Sequence, residues 1–262
     1  MSLTKESPKL HMAIIPVMAV SAGVIVANIY YNQPILREIG LSVKASESEI
    51  GRISMLSQLG YGLGMFFLLP LGDMLNRKKL ILSICGCLIA TLILMTVSST
   101  LTAVCVLSFF IGLFSVPAQI ILPMAATLDN VNRGKTVGKV FSGILVGILG
   151  ARVISGLITQ WLGWRYVYGI SAVMVLLMGI LLQLYLPDVP AKFKGNYSGL
   201  LKSTVSLIGQ YSVLRQAALL GAFTFGVFCS FWTTLTFHLG SAPLNYHAGE
   251  IGLFGLIAIG GA

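Results

Sequence analysis

Residues 80–128, LILSICGCLIATLILMTVSSTLTAVCVLSFFIGLFSVPAQIILPMAATL, contain no Asp, Glu, Lys or Arg. A helix needs about 20 apolar residues to cross the roughly 30 Å hydrocarbon core of a lipid bilayer. The stretch is therefore long enough for two crossings, and it breaks at the polar segment 98–102, SSTLT. It predicts two membrane-spanning helices joined by a short turn.

Similar runs elsewhere predict an all-α membrane protein. They cover residues 12–36, 53–72, 140–162, 166–186, 216–240 and, as the start of an eighth helix, 251–262. Charged residues make up 10% of the chain and mean hydropathy is +0.91, whereas a soluble domain has roughly one-quarter charged residues. Continuous apolar runs favour helices over a β-barrel, whose strands would be about ten residues of alternating polarity.

The runs suggest three parts. A six-helix amino-terminal bundle (1–187) is followed by a linker (188–215) with an amphipathic helical pattern and by an incomplete carboxy-terminal bundle (216–262). The run 251–262 is too short to cross a bilayer, so we expect the chain to be truncated within its eighth helix. A re-entrant or interfacial helix is the alternative, although the run lacks the charged face of an interfacial helix.

Basic residues lie mainly in alternate connections, which predicts the orientation of the chain. The first set of connections carries Lys5, Lys9, Arg77, Lys78, Lys79, Arg133, Lys135, Lys139, Lys192, Lys194, Lys202 and Arg215. The other set carries Arg37, Lys44, Arg52 and Arg165. Because Lys and Arg favour the cytoplasmic side, we expect a multi-pass protein of the bacterial inner membrane with a cytoplasmic amino terminus and linker.

Other classes of protein fit the sequence less well. The net charge of +9 suits contact with anionic membrane lipid, and no basic patch interleaved with aromatic residues predicts a nucleic-acid partner. Three scattered histidines without paired carboxylates argue against an enzyme. Cys85 and Cys87 have no nearby His or carboxylate to complete a metal site, so neither a metal nor another cofactor is expected.

Residues 71–80, LGDMLNRKKL, lie between the second and third predicted helices and resemble the loop signature of the major facilitator superfamily. Asp73 matches the acid of that signature, and Arg77 and Lys78 match its basic pair. The sequence departs from the pattern at Leu69, Met74 and Asn76. Asn76 stands where a turn glycine is common, and we expect it to adopt the left-handed backbone that Asn tolerates.

The resemblance implies a cytoplasmic gate that rearranges as two bundles rock. Asp73 would pair with Arg77, which Lys78 follows, and Asp129 at the end of the fourth helix would join them. Arg133 belongs to a basic turn, Arg133-Gly134-Lys135, that is common in the next cytoplasmic loop of the family. The alternative is that the basic residues only fix topology, because an exposed ion pair contributes about 0–1 kcal/mol.

The fifth predicted helix contains a run of small residues, Gly143, Gly147, Gly150, Ala151, Ser155 and Gly156, that would let helix backbones approach closely. Residues 144–168 look like arabinose-efflux permeases, whereas the Gly-Pro pair of the drug-efflux signature is absent. Arg152 lies near the middle of this helix, where burial costs about 2.5–3.5 kcal/mol on insertion scales. We expect it to face a cavity; snorkelling to an interface is the alternative.

Several polar residues are candidates for substrate binding together with Arg152. They are Asn28, Tyr31 and Asn32 on one face of the first helix, Gln58 and Tyr61 on the second, and Gln119 on the fourth. Each is equally compatible with a hydrogen bond between helices. The first six predicted spans contain no Asp or Glu, which leaves proton coupling open.

The resemblance implies a secondary transporter that works by alternating access. The expected function is efflux of a small molecule such as a sugar or a drug. A truncated, non-transporting remnant of such a permease is the alternative.

The orientation can be tested with reporter fusions. We expect a reporter fused after Lys78 or Lys135 to be active only as a cytoplasmic reporter, because both lie in the basic set of connections. A fusion in the loop at Lys44 serves as the opposite control. Periplasmic activity of the fusions at Lys78 and Lys135 would contradict the orientation.

Overall fold

The chain is seen in a computed structural model that describes residues 8–129, 132–189, 193 and 195–259. The described residues form helices joined by turns and contain no β-strand, which confirms the all-α fold. The helices are α1 (Pro8–Ala27), α2 (Leu36–Val43), α3 (Glu47–Phe67), α4 (Leu71–Met74), α5 (Arg77–Val97), α6 (Leu101–Phe114), α7 (Pro117–Leu128), α8 (Arg133–Leu162), α9 (Trp164–Tyr185), α10 (Tyr197–Gln210), α11 (Ser212–Gly240) and α12 (Ala248–Ile259).

Six helical stretches among the described residues are long and apolar enough to cross a membrane. They are Glu47–Met74, Arg77–Val97, Leu101–Leu128, Arg133–Leu162, Trp164–Tyr185 and Ser212–Gly240. The stretch Leu101–Leu128 combines α6 and α7, which are separated by a turn immediately before Pro117. The predicted break at 98–102 is confirmed, since α5 ends at Val97 and the Thr100 side chain caps α6 by accepting from the Ala103 amide at 3.3 Å.

The prediction of one helix over 12–36 is wrong. Helix α1 ends at Ala27, and turns lead through a 3₁₀ helix at Gln33–Ile35 into α2. The Asn28 side chain donates to the carbonyls of Val24 and Ile25 at 3.0 and 3.1 Å, so it occupies carbonyls of the last helical turn. A shorter apolar helix, Ile14–Ala27, replaces the predicted span.

The prediction of a left-handed Asn76 is also wrong. Asn76 has φ −60° and ψ 116°, and its side chain accepts from the Lys79 amide at 3.1 Å. It is therefore the amino-terminal cap of α5, a position for which Asn is among the preferred residues.

Glycine contacts allow helix backbones to approach closely at three interfaces, α1 with α8, α3 with α6, and α8 with α12. A Cβ atom added at Gly147 would overlap the backbone of Gly23, one added at Gly60 would overlap the Phe109 carbonyl, and one added at Gly156 would overlap the Ala248 carbonyl. These contacts confirm the prediction that small residues of the fifth helix permit close packing.

Helix α11 meets the preceding helices mainly near its carboxyl end. Its buried residues are Trp232, Thr236, Leu239 and Gly240, whereas its amino-terminal part is exposed. Apart from its sequence neighbours α10 and α12, α11 contacts the 3₁₀ helix, α2 and α3. We call this side, opposite the α4–α5 loop, the α2 face.

Two glycines on α8 provide a matched test of the close packing. Gly147→Ala should destabilise the protein by about 1–3 kcal/mol because the added methyl group meets the Gly23 backbone. Gly150→Ala meets nothing within 4 Å and should be neutral or slightly stabilising, because Ala has the higher helix propensity. Thermal unfolding in detergent measures both, and equal stability of the two variants would contradict this packing.

Candidate functional site

Arg152 lies in the interior of α8 and is 1% exposed. Its Nε donates to Gln33 Oε1 at 3.0 Å, and its Nη1 donates to the Ile148 carbonyl at 2.7 Å. Its Nη2 is buried and has no hydrogen-bond partner among the described residues. The buried position contradicts snorkelling to an interface.

Three aromatic rings surround the Arg152 guanidinium. The Cζ atom lies 4.4 Å from the ring centroid of Trp232, 5.0 Å from that of Tyr30 and 5.2 Å from that of Phe228. These distances suit cation–π attraction, which is stronger where water is excluded. We call Tyr30, Gln33, Arg152, Phe228 and Trp232 the arginine cage.

The predicted site residues Tyr61, Gln119 and Arg152 are linked through Tyr30. The Tyr30 side chain is close enough to interact electrostatically with both Arg152 and Tyr61, and the Tyr61 hydroxyl accepts from Gln119 Nε2 at 2.8 Å. Gln58 lies on the same helix as Tyr61, and its Oε1 is buried without a hydrogen bond. Polar groups on α3, α7 and α8 are thus connected through the segment that follows α1.

Asn28, Tyr31 and Asn32 do not share one helix face, because α1 ends before them. Asn28 Oδ1 accepts from the Ser171 hydroxyl on α9 at 2.7 Å, and Tyr31 also forms a side-chain hydrogen bond with Ser171. Asn32 Oδ1 accepts from Ser54 on α3 at 3.1 Å. Each of these three residues joins elements of the bundle, as the helix-to-helix alternative predicts.

Tyr31 and Ser171 also line a groove of about 530 Å³ between α1, α8 and α9. The side chain of Val146, which lines the same groove, is 68% exposed on the surface of the helix bundle. Tyr31 therefore borders a groove that opens outward from the bundle.

The predicted pair in the α4–α5 loop is confirmed. Arg77 Nη2 lies 3.0 Å from Asp73 Oδ1, and Arg77 Nε donates to the Gly72 carbonyl at 3.1 Å. The Asp73 side chain is 57% exposed, so the ion pair alone contributes little to stability.

Three hydrogen bonds fasten the linker to the region around this loop. Asn76 Nδ2 donates to Asp188 at 2.8 Å, the Phe193 amide donates to the Asp73 carbonyl at 3.1 Å, and the Tyr197 hydroxyl donates to the Phe67 carbonyl at 2.7 Å. These bonds could not be predicted from the sequence pattern, since backbone carbonyls accept two of them.

The other predicted gating residues lie at the start of α5 or where α7 leads into α8. Asp129 accepts from the Asn132 amide at 2.9 Å and from the Thr136 hydroxyl at 2.8 Å. Arg133 is the exposed first residue of α8, and Lys78 is the second residue of α5. Both connections lie at the end of the bundle opposite the α2 face.

Glu38 on α2 is an ionisable group that the sequence did not single out as a candidate. Its Oε2 is buried without a hydrogen bond. Burial raises the pKa of this carboxyl above that of an ordinary Glu, and its own backbone amide, Arg37 and His247 oppose the rise. The carboxyl lies outside the membrane-spanning stretches.

The sequence signal for the arginine cage was incomplete. Phe228 and Trp232 lie four residues apart in α11 and therefore on one helix face, which could have indicated a shared contact. Tyr30 lies in the turns after α1 and Gln33 begins the 3₁₀ helix that follows, and α-helical spacing cannot place them.

Comparisons with known proteins agree with this architecture. The sequence profile described as Major Facilitator Superfamily matches residues 17–262. The chain is 43% identical over 253 residues to the uncharacterized transporter YgaY of Escherichia coli O157:H7, covering 96% of this chain and 64% of that protein. It is 26% identical to a probable sugar efflux transporter of Helicobacter acinonychis, covering 86% of this chain and 58% of that protein.

A crystal structure of a bacterial homologue of the human lysosomal transporter Spinster, in an inward-facing and occupied conformation, has a similar fold. The TM-score is 0.78 at 13% identity, over 98% of this chain and 60% of that chain. The chain thus spans less than two thirds of the length of these proteins. The profile match over nearly the whole sequence, together with the helical membrane fold, shows that the chain belongs to the Major Facilitator Superfamily of transporters.

Proposed function

We propose that this protein is a secondary carrier that exports a small molecule, such as a sugar or a drug, across the bacterial inner membrane. Family membership supports transport. The name of the Helicobacter acinonychis relative supports the choice of sugar efflux. The bias of basic residues toward the α4–α5 and α7–α8 loops supports a cytoplasmic location for these loops and for the amino terminus.

The observation that carries the proposal is the buried, partly unsatisfied cation where α8 meets α11. Arg152 is 1% exposed, and one of its nitrogens has no partner among the described residues. Such a group is expensive inside a membrane and marks a functional position. Here it lies between the proposed amino-terminal bundle (1–187) and the proposed start of the carboxy-terminal bundle (216–262), which the cytoplasmic linker (188–215) connects.

Cargo would bind in the cleft between the two bundles and meet polar groups of the first bundle. Gln58 has a free buried acceptor, and Tyr61 and Gln119 form a hydrogen-bonded pair that can open toward a hydroxyl group. Asn28, Tyr31 and Asn32 would shape the site indirectly, because their side chains already bond to Ser171 and Ser54.

The cytoplasmic gate would consist of Asp73, Arg77, Lys78, Asp129 and Arg133. The Asp73–Arg77 pair holds the α4–α5 loop, and Asp129 holds the connection into α8. These contacts are small individually and exchange readily with water, as a gate that opens in each cycle requires.

Proton coupling would need a carboxyl that holds its proton more strongly than an exposed Glu does. Glu38 suits this role, because burial raises its pKa and it lies on the α2 face, where α11 packs. Its proton would be retained to a higher pH than that of an exposed Glu.

The alternative is a remnant that folds but does not transport. Alternating access needs two bundles, so a transport assay on this chain and on a chain of the length of YgaY distinguishes the two proposals.

Transport in sealed vesicles tests the function. We expect the full-length protein to accumulate a labelled sugar or drug in inverted vesicles, and Arg152→Ala to reduce the rate by roughly tenfold or more, since a hydrogen bond to a charged group is worth about 1.5–3 kcal/mol. Lys139→Ala, at an exposed position of the same helix, is the control. Equal rates for all three proteins would remove Arg152 from the transport mechanism.

Variants of Gln58 and Asn28 distinguish a residue that would contact cargo from one that stabilises the fold. Asn28→Ala should lower the melting temperature, because it leaves the buried Ser171 hydroxyl without its acceptor. Gln58→Ala should leave the melting temperature nearly unchanged and raise the KM for transport, because the Gln58 oxygen has no hydrogen-bond partner among the described residues. A stability loss at Gln58 as large as that at Asn28 would contradict the assignment.

A further inference from the structure

The arginine cage brings together side chains from two parts of the chain that alternating access would separate. Tyr30 lies in the turns after α1, Gln33 begins the 3₁₀ helix that follows and Arg152 belongs to α8, so all three lie in the proposed first bundle. Phe228 and Trp232 belong to α11, which begins the second bundle. The closest ring, that of Trp232 at 4.4 Å from Cζ, is one of the two supplied across this boundary.

We propose that the arginine cage is the gate on the α2 face, in which Arg152 is a positioning residue that holds α11 against the first bundle until that face opens. The proposal rests on the alternating access proposed above and adds the residues that keep this side shut. In this state the guanidinium contacts the α11 rings instead of cargo.

The cage lies where α11 is packed most tightly. Trp232 is 5% exposed and Thr236, one turn farther along, is 1% exposed. In contrast, Val213, Leu220 and Val227 on the preceding turns are each at least 70% exposed. Contact between α11 and the first bundle is therefore concentrated at the cage and toward the α2 face.

The neighbouring α8–α12 interface has a different character. A Cβ atom at Gly252 would lie 2.5 Å from the Arg152 carbonyl, and one at Gly255 would lie 3.5 Å from Arg152 Cβ. Beside the cage, the α12 backbone therefore packs closely against α8, with few large side chains that must separate when the helices move. Such a surface lets helices move relative to each other, whereas the stacked rings must separate from the guanidinium for the face to open.

The ring contacts of the arginine cage favour the closed state, and the unpartnered Nη2 of Arg152 favours the open state. The rings attract the cation only while α11 is in place. The unpartnered Nη2 gains a hydrogen bond to water when the face opens. These opposing contributions suit a gate that must populate both states in each cycle.

Thiol labelling of α11 tests the gate without any cargo. The full-length protein, with its other cysteines replaced and Thr236→Cys introduced, is reconstituted in lipid nanodiscs and treated with a water-soluble maleimide. Thr236 is buried near the α2 face, and its hydroxyl donates to the Trp232 carbonyl of its own helix instead of contacting Arg152. Labelling of the cysteine at position 236 therefore reports movement of α11 and not a local cavity left by a substitution of Arg152.

We expect Arg152→Met to raise the labelling rate roughly tenfold, which corresponds to a shift of about 1.4 kcal/mol toward the open state. Arg152→Lys should raise it less, because a cation remains over the rings. Arg165→Met is the matched control, since Arg165 also stacks on a tryptophan, at 4.3 Å from the Trp164 centroid, and its side chain hydrogen-bonds to Ser42 and to the Ser98 carbonyl instead of α11; it should leave the rate unchanged.

Two results would overturn the proposal: no increase with Arg152→Met, or an equal increase at Ser171→Cys, a buried site between α1 and α9 that reports general loosening. If Arg152→Met does not fold, Trp232→Leu removes the same contact from the α11 side and should give the same increase. Because no cargo is present, a positive labelling result without vesicle transport would retain the gate and reject the proposed carrier function. The reverse outcome would reject only the gate.

Discussion

The bundle is arranged around one constraint, which is the burial of the Arg152 guanidinium away from bulk water. Arg152 is 1% exposed, and a charge at that depth persists only if the protein replaces its hydration. The protein does so with one amide oxygen, one carbonyl of the preceding helical turn and three aromatic faces. Since these groups come from three parts of the chain, the charge fixes how the segment after α1 and helix α11 lie against α8.

Glycine contacts make that arrangement possible. The long side chain of Arg152 can reach Gln33 and Tyr30 only if the first and fifth spans run close together, and the contact of Gly147 with Gly23 brings their backbones into direct contact. On the other side of α8, Gly252 allows α12 to approach the Arg152 backbone. Small residues thus set the helix spacing, and the cage uses the space that remains.

The sequence predicted the features that depend on local composition. Apolar length was enough to identify the spans, and polarity was enough to place the break at 98–102, because a bilayer penalises exposed polar backbone wherever it occurs. The Asp73–Arg77 pair was also predictable, since the two opposite charges are four residues apart across a short loop, and the structure places them 3.0 Å apart.

Local backbone structure could not be predicted in this way where alternative hydrogen bonds of one side chain compete. Asn28 ends α1 because its amide takes two carbonyls of its own helix, and Asn76 caps α5 instead of adopting a left-handed turn. In both cases the residue type permits several conformations, and the choice between them depends on which of several possible hydrogen bonds the side chain forms. The arginine cage could not be predicted either, because Trp232 meets Arg152 only after the whole bundle has formed.

The linker contacts suggest how the two faces of the bundle can be coupled mechanically. Asp188, Phe193 and Tyr197 bond to the α4–α5 loop and the end of α3, and the chain continues through α10 directly into α11. A movement of α11 that separates Trp232 from Arg152 would therefore act through α10 on hydrogen bonds at the opposite face. Since exposed hydrogen bonds and ion pairs are individually weak, a modest displacement of α11 is enough to exchange them, whereas the cage must break as a unit. The slow, cooperative element would then lie on the α2 face, and the loop with Asp73 and Arg77 would follow it.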